Sequence, residues 1–381
     1  MKKDFYFCKQ CLTTSLRPNA AFTNGVCNPC LFVNNEEEVD FDDRLKKLKT
    51  NIERVMSRHD RLAEHDCIVG VSGGKDSTRQ ALWVRDKLGL NPLLVCCAYP
   101  PKQMLDLGAK NLENLINLGF DLEVYNPAPE TAAQLSKTAL VKFGNVCKAS
   151  EIALFTTVPQ IAIERNIKMC FFGENPALQE GDSATLGEDE FDANQLRGLN
   201  TLTSGGVSWI WEVAGDSNFH TYQYPSEEEF LERDINMFYL GPAWSDWDME
   251  ENALFSMLEG LKTRPNEEHI TGDLTNASML DEEFTNINMM IKYYKFGFGR
   301  ASDLCNELIR AGKITREEAI DIVTEYDGIC NDAIVDSYCR WVDMSLSEFW
   351  GLVWSYTNKD LFDKTDGRPV RKFDVGKPIC V

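Results

Sequence analysis

Basic residues are scarce in this chain: 39 Lys and Arg stand against 60 Asp and Glu among 381 residues, a formal charge of -21. That balance opposes broad attraction to a phosphate polyanion, so nucleic acid is a disfavoured partner, although a local basic groove remains open. Long apolar runs are missing too. No window approaches about 18 uninterrupted apolar residues, and the opening MKKDFYFCKQC has no apolar run of signal-peptide length. The expectation is a soluble, cytoplasmic protein without membrane insertion. Histidine is down to 4 residues and no Cys-His-Glu block is recognisable, which argues against an internal glutaminase.

With 43% apolar and 10% aromatic residues the chain has the composition of an ordinary folded protein. Its length suggests two or three units at roughly 150 residues each. Cysteine is plentiful at 13 residues, which in a long intracellular chain points to thiols or metal ligands rather than disulfides. Cys8, Cys11, Cys27 and Cys30 form C-x2-C-x15-C-x2-C, the spacing of a four-thiolate zinc site. Four protein ligands leave no open position, so such a site is structural. The other cysteines show no second C-x2-C. Adjacent Cys96 and Cys97 face opposite sides of a strand and read as core, and Cys147, beside Lys148, reads as core or as a reactive thiol.

Beyond the acidic linker NNEEEVDFDD, helical spacing runs from Asp43 to Glu64, and Cys67–Val71 is a short buried strand. Helices at Ser77–Leu88, Met104–Leu118, Ala132–Lys142 and Ser150–Arg165 then alternate with strands at Pro92–Tyr99, Leu122–Tyr125 and Lys168–Gly173. This order predicts an α/β fold with a doubly wound, mostly parallel sheet that binds ligands at the carboxyl ends of its strands. Three parts follow: a metal ribbon over 1–38, the α/β domain over 39–240, and a mainly helical region over 241–381.

The stretch VGVSGGKDSTRQ at 69–80 lies between the first of these strands and its helix, where backbone N–H groups face the strand end. It is not a Walker A loop, because only three residues separate Gly70 from Gly74 and Asp76 follows Lys75; a G-x-G-x-x-G pattern fails as well. SGGKDS is instead similar to the PP-loop of the ATP pyrophosphatase superfamily, whose fold is that of the adenine nucleotide alpha hydrolases. That likeness implies ATP and Mg²⁺. Ser72 and Ser77 would offer hydroxyls to the phosphates, Gly73 and Gly74 a close backbone approach, Lys75 positive charge, and Asp76 a hold on the loop or on Mg²⁺.

Four blocks, FCKQCLTTSLRPNAAFTNGVCNPC, VSGGKDS, FFGENPALQEG and YKFGFGRASDLCNELIRAGKITREEAIDIVTEYDG, together resemble the N-acetyl sugar amidotransferase family of bacterial surface glycans such as lipopolysaccharide O-antigen. The resemblance implies ATP-dependent adenylation of an acetamido oxygen, with ammonia then displacing AMP to leave an acetamidino group. Ammonia would come from a separate subunit, the partners resembling the glutaminase and cyclase-like proteins of imidazole glycerol phosphate synthase. Two alternatives stand beside it: a tRNA thiolase, which also joins a ribbon to a PP-loop, and a non-catalytic nucleotide-binding subunit that gates a glutaminase.

Other candidates are weighed on position. Glu174 ends a strand on the PP-loop edge, as a catalytic or Mg²⁺-binding carboxylate or a solvated turn acid, and Asn175 is a candidate for the acetamido group. The aperiodic stretch Glu174–Gly206 reads as a lid or as disorder. Arg300 in FGFGR would pair with a phosphate or a sugar carboxylate, or merely open a helix capped by Ser302 or Asp303. Thr315 to Glu318 matches a capping box. Trp209, Trp211, Trp244 and Trp247 suit a sugar platform or a core equally.

Overall fold

The computed structural model describes residues 5–34, 40–59, 64–100, 102–173, 176, 183–185, 187–265 and 276–378. At the amino end a Cys8–Cys11 turn faces a short antiparallel hairpin, β1 (Phe22–Thr23) and β2 (Val26–Cys27), which runs into helix α1 (Asn28–Asn34). Cys27 and Cys30 sit on the second arm of this ribbon. Helix α2 (Phe41–Ser57) follows, capped by Asp40 and turning Leu48, Ile52 and Val55 inward.

The central sheet is wholly parallel, in the order β5-β4-β3-β6-β7, with β3 Cys67–Gly70, β4 Pro92–Cys97, β5 Asp121–Tyr125, β6 Met169–Phe172 and β7 Asn236–Tyr239. Along β3 the side chains alternate, Cys67 and Val69 entering one apolar core and Ile68 another. That is why the sequence shows a continuous apolar run: both faces are covered. The covering helices include α3 (Lys75–Asp86), α4 (Asp106–Asn117), α5 (Pro129–Phe143) and α6 (Lys148–Arg165). Chain connections leave β3 toward β4 and β6 toward β7, in opposite directions, so a crevice opens at the carboxyl ends of β3 and β6.

Helix α3 begins at Lys75, two residues earlier than the periodicity suggests, because Gly74 adopts an extended conformation (ψ 175°) and serves as its N-cap. Lys75 and Asp76 therefore belong to the first helical turn. Residues 187–206 also differ from the expected aperiodic loop. Phe191 and Leu196 are buried, the Phe191 carbonyl accepts from Tyr239 N–H at 2.8 Å, and Ala193 N–H donates to Met237 O at 3.0 Å, so this segment is stitched to β7. Its apolar residues are too widely spaced to show a period, but tertiary packing buries Phe191, Ala193 and Leu196 and half-buries Leu199 and Leu202.

Helix α7 (Ser208–Phe219), broken at Gly215, and α8 (Glu227–Arg233) lead to β7, and α9 (Met249–Leu258) packs on α3. The carboxyl region comprises α10 (Thr285–Phe296), α11 (Arg300–Arg310), α12 (Arg316–Tyr326), α13 (Asp332–Trp341) and α14 (Leu346–Tyr356), closed by the antiparallel pair β8 (Phe362–Thr365) and β9 (Arg368–Arg371). Its apolar core takes in Phe5, Phe7 and Leu12 of the ribbon together with Leu140 and Val146. Polar contacts strengthen that docking: Asn306 Oδ1 accepts from Leu12 N–H at 2.7 Å, and Arg316 Nε donates to Cys11 O at 3.2 Å. Among the described residues no single helix is long and apolar enough to cross a membrane; α5 and α6 qualify only as a pair, and they are bent by 119°.

Candidate functional site

The loop after β3 is closed by its own hydroxyls. Ser72 N–H donates to Ser77 Oγ at 3.3 Å, Gly74 N–H to Ser72 Oγ at 3.3 Å, and Ser77 Oγ–H to Gly74 O at 3.2 Å. Gly73 sits at φ +79°, where a Cβ would come within 3.2 to 3.3 Å of the α4 backbone at Asn111 and Leu112. No side chain caps the amino end of α3, leaving its first N–H groups and the positive end of its dipole for an anion. At the neighbouring strand end, a Cβ on Gly173 would lie 1.9 Å from Gln80 Nε2. A side chain there would have to displace the Gln80 amide.

Asp76 is held on both oxygens. Lys75 Nζ lies 2.5 Å from Oδ2, and Asn252 Nδ2 donates to Oδ1 at 2.7 Å. Asn252 in turn accepts from Arg79 Nη1 at 2.7 Å, and Arg79 pairs with Asp246 at 2.6 Å while its guanidinium lies 5.0 Å from the Trp244 ring. Ser256 Oγ–H closes the brace by donating to Lys75 O at 2.6 Å. Helix α9 thus fixes the start of α3 through a chain of charge-assisted hydrogen bonds. Lys75 is buried and its charge is matched to Asp76; Asp76 itself faces the cleft.

That cleft has a volume of about 1030 Å³ and is floored by Ser72, Gly74, Asp76, Ser77 and Gln80. Its opposite wall is cationic. Lys142 and Lys148 come from the α5–α6 junction, Lys292, Lys295 and Arg300 from the carboxyl helices, and Arg17 from the ribbon. Asp303 bridges Arg17 and Lys292 at 2.6 Å each, and both cations flank the Phe298 ring, at 5.0 and 4.8 Å. Burial pushes the Asp303 carboxyl up, but Lys292 and Arg17 outweigh it and hold the group well below the usual carboxylate range. Lys295 donates to Phe143 O at 2.8 Å; burial, followed by the charge of Lys148, pushes it down to about 8. Burial lowers Lys148 too. In a protein of charge -21, this cleft is the local basic groove, sized for a nucleotide and a second anionic or polar ligand.

Several predicted residues meet here: Ser72, Gly74, Asp76, Ser77 and Arg300 line one cavity. Glu174 and Asn175 lie outside the described residues, as does most of 174–182. The FGFGR turn is not capped by Ser302 or Asp303. Buried Asp327 does this instead, accepting from Gly299 N–H at 2.9 Å, Ala301 N–H at 2.8 Å and Ser302 N–H at 3.3 Å. Burial raises its carboxyl to about 6 even with these donors. Cys147 is buried in the apolar core of the carboxyl region, and burial pushes its thiol up. The tryptophans divide: Trp244 stacks on Trp83 at 4.7 Å, Trp209 is buried, and Trp211 is exposed. Sequence reasoning gave no role to Arg17, Arg79, Asn252, Lys292 and Lys295; Arg17, Arg79 and Lys295 lie within the blocks quoted above, but nothing local says which distant partner each one meets.

The four ribbon cysteines are buried, with all their Sγ atoms within 4.8 Å of one another. Cys8 and Cys30 Sγ are 4.0 Å apart and Cys11 and Cys27 Sγ 3.6 Å, against about 3.8 Å between sulfurs arranged tetrahedrally at 2.3 Å from a zinc ion. Backbone N–H groups of Gln10 and Cys27 point at Cys8 Sγ, at 3.4 and 3.3 Å, and that of Thr13 at Cys11 Sγ, at 3.4 Å. The cluster is built to hold a metal ion.

Residues 277–376 match the family model described as "LPS biosynthesis protein WbpG-like, C-terminal domain". The carboxyl region is WbpG-like. This matched stretch supplies Lys292, Lys295, Arg300 and Asp303 to the cleft wall, so it is part of the site. No curated protein matches the chain. Among solved structures, NMN synthetase from Francisella tularensis is similar at 14% identity over 60% of this chain and 89% of that one, with a TM-score of 0.29, too loose a likeness to bear on function.

Proposed function

We propose that this protein uses Mg²⁺-ATP to adenylate the acetamido oxygen of an N-acetyl sugar, and that ammonia then displaces AMP to give an acetamidino sugar for lipopolysaccharide synthesis. The observation that carries this reading is the SGGKDS turn, with its uncapped α3 amino end, opening into a cleft whose far wall belongs to the WbpG-like region. Ser72, Gly73, Gly74 and Ser77 cradle the β and γ phosphates. Asp76, held by Asn252 and Lys75, presents its remaining lone pairs to Mg²⁺, which neutralises phosphate charge when bound.

The oxygen lone pair attacks the α phosphorus, and the bond to the β-phosphoryl oxygen breaks, its electron pair leaving with pyrophosphate. Ammonia then adds to the activated carbon, the added nitrogen gives one proton to solvent, and AMP departs with the former amide oxygen to leave an acetamidinium group. Amide oxygen is a poor leaving group and adenylate a good one, which is the use of ATP here. Zinc is the metal assigned to the ribbon, in a structural role. Ammonia comes from a partner glutaminase, given the 4 histidines of this chain.

The test incubates the protein with ATP, Mg²⁺, ammonium and candidate acetamido sugars. AMP and a product about 1 Da lighter, from exchange of O for NH, are expected; ADP as the nucleotide product would sink the mechanism.

A further inference from the structure

Arg300 differs from the other cations of the cleft. Arg17 and Lys292 share Asp303, Lys142 reaches Glu212 at 3.3 Å, and Lys148 and Lys295 donate to backbone carbonyls. Arg300 Nη2 likewise donates to a neutral group, Ser278 Oγ, at 2.9 Å, but its Nε–H is buried without a partner among the described residues. An orphaned guanidinium N–H inside a folded protein is costly, and an Nε/Nη edge is the geometry that grips two phosphate oxygens at once.

Its placement is rigid. Asp327 clamps the first turn of α11 through Gly299, Ala301 and Ser302, so the Arg300 backbone does not wander. Glu307 lies two turns further along the same helix face, about 10 Å away by helix geometry. Burial pushes its carboxyl up, against the charges of Arg300, Arg310 and Lys75. Arg300 and the loop residues Ser72, Gly74, Asp76 and Ser77 line one cavity.

We propose that Arg300 is the guanidinium of the pyrophosphate site, gripping the β and γ phosphates of the nucleotide held by Ser72–Ser77, so that the WbpG-like region completes the ATP site. This rests on the ATP-using reading above. Of the two partners the sequence leaves open for Arg300, a phosphate or a sugar carboxylate, it chooses the phosphate. In adenylation, Arg300 meets the negative charge that collects on pyrophosphate as the α–β bond breaks.

The test measures calorimetric affinity of the full-length protein for Mg²⁺-ATP, inorganic pyrophosphate and AMP, in the native protein and in Arg300→Ala, Arg300→Lys and Ser278→Ala. Arg300→Ala is expected to weaken ATP and pyrophosphate about ten- to a hundredfold, as loss of a charge-assisted bidentate contact does, and to leave AMP unchanged. Arg300→Lys keeps charge without the fork and falls between; Ser278→Ala loosens the side chain and weakens pyrophosphate only a few fold. Equal pyrophosphate affinity in native protein, Arg300→Ala and Arg300→Lys overturns the proposal. So does parallel loss of AMP, which marks general damage to the site. Native protein that binds neither ATP nor pyrophosphate overturns the ATP-using reading itself.

Discussion

Asn252 is the joint of the brace under Asp76, and replacing it separates structural from functional roles. Its amide donates to Asp76 Oδ1 and accepts from Arg79 Nη1, each at 2.7 Å, and it is 1% exposed. Hydrogen bonds to charged groups contribute about 1.5–3 kcal/mol each. Asp76 is 31% exposed, so water replaces part of the first bond; Arg79, at 8%, is nearly dry and keeps only Asp246. Asn252→Ala should therefore cost about 2–4 kcal/mol of unfolding free energy, read from urea melts. AMP formation should fall further than stability alone explains, because Asp76 loses its fixed orientation. Asn252→Asp sharpens the test. It still accepts from Arg79 but places a second carboxylate against Asp76, so it should cost less stability than alanine and at least as much activity. A change under about 0.5 kcal/mol in Asn252→Ala, with AMP formation intact, would refute the argument that this brace positions the site.

Gly73→Ala should lower both ATP affinity and stability, since the φ of +79° costs a residue with a side chain roughly 1–2 kcal/mol and the new Cβ meets α4; equal melting and binding curves would contradict this. Elemental analysis should find one zinc per chain, lost in the Cys8→Ser Cys11→Ser double variant together with several degrees of thermal midpoint, because the ribbon shares the carboxyl core; a metal-free native protein would end the zinc assignment. Lys295 falls from 10.5 to about 8 in the folded protein. The folded state then binds fewer protons than the unfolded chain between those values, so its contribution to stability rises with pH across that window. Lys295→Met should be relatively more stable than the native protein at pH 7, the difference shrinking toward pH 10.5 in urea melts at several pH values; a pH-independent difference would contradict the shift.

Much of the fold was legible because its determinants are local. CIVG, PLLVCC and MCFF are continuous apolar runs since each strand is covered on both faces, and glycine-closed helical periods separate them. SGGKDS was legible as a strand-to-helix turn because its glycines and hydroxyls act on their own backbone. What surrounds that loop was not. The Arg17–Asp303 pair spans 286 residues and the Asn252–Asp76 bond 176. Helix α11 is capped by Asp327, 25 to 28 residues onward, where a sequence reading offers only Ser302 and Asp303.

The sequence by itself determined the helices and strands of the first 173 residues, the thiolate spacing and the turn after β3, since propensity, period and turn chemistry operate over a few residues. Tertiary structure alone decided that the site is composite, with α9 bracing Asp76 and the ribbon and WbpG-like helices walling the cleft with cations. The reason is physical. A buried charge is stable only beside its partner, and which partner it meets depends on how distant segments pack, which no short stretch of chain encodes.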